Sequence, residues 1–437
     1  MSCRSIDIKC ADFRVKEKTK ELMNDYCGVL CAGSTKTESK NLLLAFGGPK
    51  IINQSDYLAC WMGATARLLD FDDGHRFAMG HPGVVIFPAA LATALNTPGT
   101  SCKKFIEAIV RGYEMYCYQG RSINSSAYLI RGFDATAICG AAAAAVVAST
   151  IMGLKNKAMA NAIALASTLC GGLNQAAIDG SDQKAILAGW GAMLGIKAAE
   201  WAKNGITGPE HAYEGRLGYV NAFSPSPHLD ILNNPMLRYD IKYVYTKVFA
   251  CVRRIHTTLD LVREAMQLKK WSENDIAKVD VYGCKFLMDA GGYDPVNRAA
   301  AQTSIPYAVA LLLHYGEVTE ELVKNNIGNT FISKLSHKVE VHLDKELVEL
   351  AEREDSLWGA ARVVITNIND ERFEKSEVYP LGEYENPFPK KIVKEKFFNL
   401  VNNALPNEQV EILWNFIMNL DKENIISNET FPIFKII

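Results

Sequence analysis

Between Asp70 and Gly83 the chain reads DFDDGHRFAMGHPG. Three carboxylates (Asp70, Asp72, Asp73) and two imidazoles (His75, His81) thus share one short segment between apolar runs. Buried or half-buried, titratable groups this close shift one another's pKa values, which is how acid and base chemistry is run near neutrality. A general base must come within hydrogen-bond reach of the proton it removes, and a loop on a rigid scaffold suits that task. Any one of these residues alone reads better as a solvated turn residue or, for His81, a helix-start residue; the cluster of five points to function. Asp, Asp and His can also ligate Mn or Zn. The spacing matches no known ligand frame, and no metal is expected.

Two further stretches carry candidate groups. KVFACVRRIH places Lys247, Arg253, Arg254 and His256 just ahead of a helix. Cations at a domain junction suit a carboxylate, and a desolvated lysine can act as acid or base; a solvated charged face is the competing reading. SIPYAVALLLHYG places Tyr307 inside an apolar helix, where tyrosines more often serve the core with a satisfied hydroxyl.

The elements that must position these groups follow from periodicity. Phe105, Ile109, Tyr113 and Tyr116 fall on one helical face, and helices are expected around Tyr57 to Leu69, Val85 to Leu95 and Lys157 to Thr168. Ala135 to Leu154 and Lys184 to Ala202 are rich in Ala and Gly, so they should run through the centre of a helical bundle. After Ser224 the stretch SPSPHLDILNNP marks an irregular connection. Strands follow in KVDVYG, HKVEVHL and ARVVIT, with a turn at Asn369 and Asp370 and a return strand through Glu377 to Tyr379. Helices lie between them, from Thr257 to Leu268 and from Ser304 to Tyr315. Two amphipathic helices beyond Pro389 can rejoin the bundle or cap the small domain. The expected class is mainly α: a large all-α helical domain (1–243 and 388–437) and a smaller α+β lid domain (244–387).

A chain of 437 residues, 49% hydrophobic and 22% charged with a net charge of -2, fits two globular domains. It lacks the basic footprint of a nucleic-acid or anionic-membrane binder. The N-terminal MSCRSIDIKCADFRVKEKTK has no apolar signal core, and the Ala-rich run from Gly140 to Leu154 reads as too short and too weakly apolar to span a bilayer. The 11 cysteines are an odd number without CxxC spacing. Free thiols in a reducing cytoplasm are expected, with no support for zinc ligation by cysteine.

Taken in order, these stretches resemble the MmgE/PrpD family, which includes 2-methylcitrate dehydratase, cis-aconitate decarboxylase and iminodisuccinate epimerase. DFDDGHRFAMGHPG is similar to its DFDD(T)H…HPG signature and GITGPEHAYEGRLGY to its GFTGP…EG..G(F/Y) segment. KVFACVRRIH is similar to K.(F/Y)P.…H, with Ala250 replacing the proline, and AQTSIPYAVALLLHYG to A.(F/H)S.PYA.A..L.DG. The resemblance implies homodimers, a cleft between the two domains and no metal or organic cofactor. It nominates Asp70, His81, Lys247 and Tyr307 as catalytic, with Asp70 orienting the imidazole. Lys184 fits the family lysine. Gly74 stands where many relatives have threonine, Asp134 and Leu187 replace frequent histidines, and Met193 sits where some members carry a basic residue.

Each group lost from a carboxylate pocket removes about 1.5 to 3 kcal/mol of binding, and Asp134 would repel polyanions. Asp134, Lys184, Arg254 and His256 are the expected substrate-binding residues. The expected activity is a cofactor-independent lyase that dehydrates or decarboxylates a small organic acid other than methylcitrate or cis-aconitate. An epimerase of an amino dicarboxylate and a catalytically silent metabolite-binding relative are the alternatives.

Overall fold

Small residues set the centre of the molecule. The computed structural model describes residues 13–233, 239–353 and 357–422, together with 425–427, 431, 433 and 436; most of the N-terminal stretch, with Cys3 and Cys10, lies outside them. The helices that build the first core are α1 (Phe13–Ser34), α2 (Ser55–Arg67), α3 (Gly83–Leu95), α4 (Cys102–Ile123), α5 (Ala135–Met152), α6 (Asn156–Leu169) and α7 (Gln183–Lys203). Helix α7 packs against both α5 and α2. A Cβ on Gly189 would lie 2.0 Å from the Cys60 carbonyl oxygen, and one on Gly195 would lie 2.4 Å from the Ala144 Cβ. Only glycine lets these backbones approach so closely.

Helix α5 is buried on all sides, which is why its sequence shows no polar face. Over 18 residues its mean hydropathy is 1.9, so by length and composition it is apolar enough to cross a membrane, contrary to the reading of this run as too weakly apolar. In the structure 94% of it is buried inside the protein, as a core helix.

Helices α8 (His256–Lys269), α9 (Arg298–Thr303) and α10 (Ile305–Tyr315) belong to a second core with strands β1 (Ile276–Gly283), β2 (Val339–Leu343), β3 (Ala361–Asn367) and β4 (Arg372–Glu377). The sheet order is β2-β1-β3-β4. β1 runs parallel to β2, pairing Val279 with Val339, and antiparallel to β3, pairing Val281 with Val363. The β3–β4 turn passes through Asp370 in the left-handed region (φ 62), a conformation aspartate tolerates. β4 ends at Glu377, before the expected Tyr379, because the chain bends there.

The last helices, α11 (Lys390–Val401) and α12 (Asn407–Met418), return to the first core, where α11 lies against α1. Phe397, Val401, Val410 and Leu413 are buried there. The two cores meet at the DFDDGHR loop. Arg76 binds Glu383 (3.1 Å) and Glu385 (2.5 Å), Arg253 binds Glu383, and Gly74 forms a two-residue antiparallel bridge with Tyr245.

Candidate active site

The loop begins where α2 stops at Arg67. Asp70 follows in the left-handed region (φ 49), and its carboxylate gathers three cations. Arg67 Nη1 donates to Oδ1 at 2.6 Å, Lys247 Nζ to Oδ1 at 2.9 Å and Lys184 Nζ to Oδ2 at 3.2 Å. Lys247 also donates to the Asp70 carbonyl at 2.8 Å. Asp70 and Lys247 are almost fully buried. Burial by itself would raise the Asp70 pKa, but Lys184, Lys247, Arg67 and His81 outweigh it and hold the carboxyl well below its usual range. Lys184 is pushed down by burial, against the pull of Asp70.

The other end of the loop holds His81. Its Nδ1 lies 2.6 Å from the Asp73 carbonyl oxygen and 3.1 Å from Asp72 Oδ2. Both neighbours only accept, so Nδ1 carries the proton and the neutral ring leaves Nε2 with its lone pair. Burial and then Arg67 lower the His81 pKa, with Asp72 opposing, which favours the neutral ring at pH 7. Asp72 is held below the usual carboxylate range because Arg67 and His81 overcome its burial. Arg67 Nη1 reaches Asp72 Oδ1 at 2.9 Å as well as Asp70, so one guanidinium couples both halves.

Asp73 is fixed separately. The Gly83 amide donates to its Oδ1 (2.9 Å) and the Tyr113 hydroxyl to its Oδ2 (2.7 Å). Burial pushes its pKa up to about 7, with help from Asp25 and Asp72 and against those two hydrogen bonds.

The structure therefore brings Asp70, Lys184, Lys247 and His81 together, but with a changed division of labour. Asp72 and the Asp73 carbonyl orient the imidazole; Asp70, expected in that role, organises the cations. Asp72 and Asp73, members of the cluster read from the sequence, complete the constellation with Arg67, which sequence reasoning did not single out. The signal for Arg67 was its place three residues before Asp70 at the end of an apolar helix, the spacing of a helical ion pair.

Four expected residues are engaged elsewhere. The Tyr307 hydroxyl donates to the Val323 carbonyl at 2.8 Å within the second core and makes no bond to the Asp70 cluster among the described residues. Arg254 stacks on Phe286, 4.3 Å from the ring centroid, with no bond to the Asp70 cluster among the described residues. His256 is buried with Nε2 3.3 Å from the Cys251 carbonyl and its ring edge on Phe249; burial and Lys247 lower its pKa to about 3. Asp134 caps α5, accepting from the Ala137 amide at 3.0 Å, and acts on Arg67 only through its charge. Beside Lys184 lies a small cleft whose lining includes Arg67, Ser181, Asp182, Arg298 and Gln302, residues from both cores.

Among the described residues, two groups have metal-binding composition. His75, Cys117 and Asp240 are all buried within reach of one another. The Ala78 amide donates to His75 Nδ1 (3.2 Å), so the neutral ring carries its proton on Nε2, and Arg121 lies 2.5 Å from Asp240. A cation there would have to displace both. Around Asp280, Glu340 and His342 the central position is taken by Lys278, 3.0 and 2.9 Å from the two carboxylates.

Comparison with known proteins supports the same assignment of sequence stretches. The MmgE/PrpD N-terminal domain profile matches residues 4–232 and the MmgE/PrpD C-terminal domain profile residues 249–422. The chain is similar to the cis-aconitate decarboxylase-like protein oryM of Aspergillus oryzae (strain ATCC 42149 / RIB 40), 22% identical over 84% of this chain and 79% of that protein. It is also similar to a cis-aconitate decarboxylase of Aspergillus terreus, 22% identical over 82% of this chain and 77% of the relative.

Proposed function

The chain belongs to the MmgE/PrpD family, and from that premise we propose that it is a lyase which removes a proton next to a carboxylate or carbonyl of a small organic acid and expels water, or loses carbon dioxide. The observation that carries this reading is the His81 tautomer. With Nδ1–H held by the Asp73 carbonyl and Asp72, Nε2 is the base, and Asp72 stabilises the imidazolium formed when it takes the proton. Lys184, Lys247 and Arg67 surround one carboxylate at the base of the site. An acid bound in the adjoining cleft would place its developing negative charge against these cations, the electrostatic term that dominates such reactions. Nothing in this scheme calls for a group beyond the chain's own residues.

The replacement of family histidines by Asp134 and Leu187 supports a substrate other than methylcitrate or cis-aconitate. Leu187 is buried beside Gly172 and offers no hydrogen bond to an anion. The test is a screen of hydroxy acids, unsaturated acids and amino dicarboxylates read by mass change. Loss of 18 or 44 mass units, for water or carbon dioxide, supports the lyase; solvent deuterium entering unchanged acid replaces it with an epimerase. His81→Ala should cut turnover about 100-fold to 10,000-fold with the melting temperature little changed. Turnover kept within a few-fold removes His81 from this role.

A further inference from the structure

Gly74 sits between the Asp73 carbonyl that holds His81 and the buried His75. It is hydrogen-bonded to Tyr245 in both directions, N–H to carbonyl at 3.1 and 2.9 Å. In such a pair the two side chains leave the same face, and here one of them is absent. The ring of Tyr245 folds into the empty place: a Cβ on Gly74 would lie 2.1 Å from the Tyr245 hydroxyl oxygen and 2.3 Å from Cζ. Gly74 does not adopt a positive φ. What demands glycine here is therefore space, not backbone freedom.

Buried tyrosine hydroxyls ordinarily find a partner. Tyr113 donates to Asp73 and Tyr307 to Val323, whereas among the described residues none hydrogen-bonds the Tyr245 hydroxyl. Tyr116, whose hydroxyl lies over Gly80 in the same way, is fully sealed; Tyr245 keeps 7% exposure. Asp72 and Arg67, which couple the two halves of the site, are among the charges that act on it, and Arg253 stacks on its ring at 5.4 Å. Burial raises its pKa, so the phenol stays protonated and can donate throughout the working pH range.

We propose that Tyr245 is a further functional residue of the site: its hydroxyl donates a hydrogen bond to an oxygen of the bound acid, and Gly74 is there to admit it. The loss of a hydroxyl expected from glycine at position 74 is thereby made good from the facing segment. The proposal rests on the lyase reading above, and its test separates the two.

Full-length protein carrying Tyr245→Phe, Gly74→Thr, or Gly74→Thr with Tyr245→Ala is assayed on the acid found by the mass-change screen, with melting temperature measured alongside. Tyr245→Phe should lower kcat/KM about 10-fold to 100-fold at an unchanged melting temperature. Gly74→Thr alone should lower both, since its side chain collides with the Tyr245 ring. The exchange variant, which returns a hydroxyl from position 74, should recover about ten-fold or more over Gly74→Thr. A Tyr245→Phe enzyme within about two-fold of the wild type overturns the proposal and leaves the lyase standing. So does a loss that merely tracks a fall in melting temperature and is not recovered by the exchange. A wild-type protein that converts none of the acids, and is stabilised by none, overturns the lyase reading and this proposal with it.

Discussion

Asp70 and Asp73 lie three residues apart in one loop, and both are buried, yet their environments drive them in opposite directions. Asp70 is ringed by Arg67, Lys184 and Lys247 and stays ionised far below neutrality. Asp73 meets no cation within bonding distance among the described residues, only the Gly83 amide and the Tyr113 hydroxyl, and its pKa rises to about 7. Burial penalises both carboxylates; what decides the outcome is whether opposite charges are supplied to offset it. The first is a fixed charge that gathers the cations of the site. The second is a strut balanced between its two protonation states near neutrality, and its carbonyl holds the base.

Breaking the Asp70 half should have the largest effect. Asp70→Asn keeps the shape but leaves three cations around a neutral amide, and removing one partner of a buried ion cluster costs about 3 to 5 kcal/mol. Activity should fall about 1,000-fold or more, because Lys184 and Lys247 lose their anchor. The folded-state pKa of Asp70 is depressed, so its contribution is present above the unfolded value of about 3.9 and is lost as pH falls toward its folded value. Denaturant unfolding at several pH values should therefore show the variant and wild type converging only in strong acid. A variant as stable as the wild type at pH 7 would mean that the cations are held by something else.

Much of this arrangement was legible beforehand, and the failures have a common cause. Helix periodicity found α4 and α6, where one-sided burial leaves a 3.6-residue trace in the sequence, and Ala and Gly content found the central α5 and α7. Alternation found β1 and β2 at period two, and β3 showed as the β-branched run ARVVIT, buried along most of its length. The loop from Asp70 to Gly83 and the cationic stretch with Lys247 stood out by composition, and Lys184 came from the family resemblance. What could not be read was which aspartate faces which partner. A left-handed residue at Asp70 (φ 49) redirects the chain just after α2, so spacing alone does not tell that Asp70 meets lysines while Asp72 meets His81. Nor could the partner of Tyr307 be read: α10 packs so that its hydroxyl reaches the Val323 carbonyl. A pattern of letters records residue types, whereas the direction of a hydroxyl depends on how two elements dock.

The Asp73 half predicts a smaller effect of opposite sign. With a folded-state pKa raised to about 7, Asp73 favours the protonated folded protein. Its stability contribution is fully present below the unfolded value of about 3.9 and is lost as pH rises through 7, amounting to up to about 4 kcal/mol. Asp73→Asn replaces the protonated acid by a neutral isostere that can accept from Gly83 and donate to the Tyr113 oxygen. The advantage of the variant over the wild type should grow between pH 4 and pH 7 and then level off. A difference that does not change with pH would show that Asp73 is ionised throughout, like Asp70.

The finest distinction lies in the Tyr113 hydroxyl, which donates to Asp73 Oδ2 and is one of the two bonds that limit the rise of its pKa. Tyr113→Phe keeps the buried ring and removes only that donor, at a cost of about 1 kcal/mol. Because the lost bond favoured the ionised form, the pH at which Asp73 titrates in the folded protein should move further up, by about one unit or less. The midpoint of the pH-dependent loss of stability should then sit above that of the wild type, while the acid limb governed by Asp70 stays where it was. A midpoint that moves down instead would mean that the Tyr113 oxygen accepts a hydrogen bond from a neutral Asp73, and the contrast between the two carboxyls would be wider than their distances alone indicate.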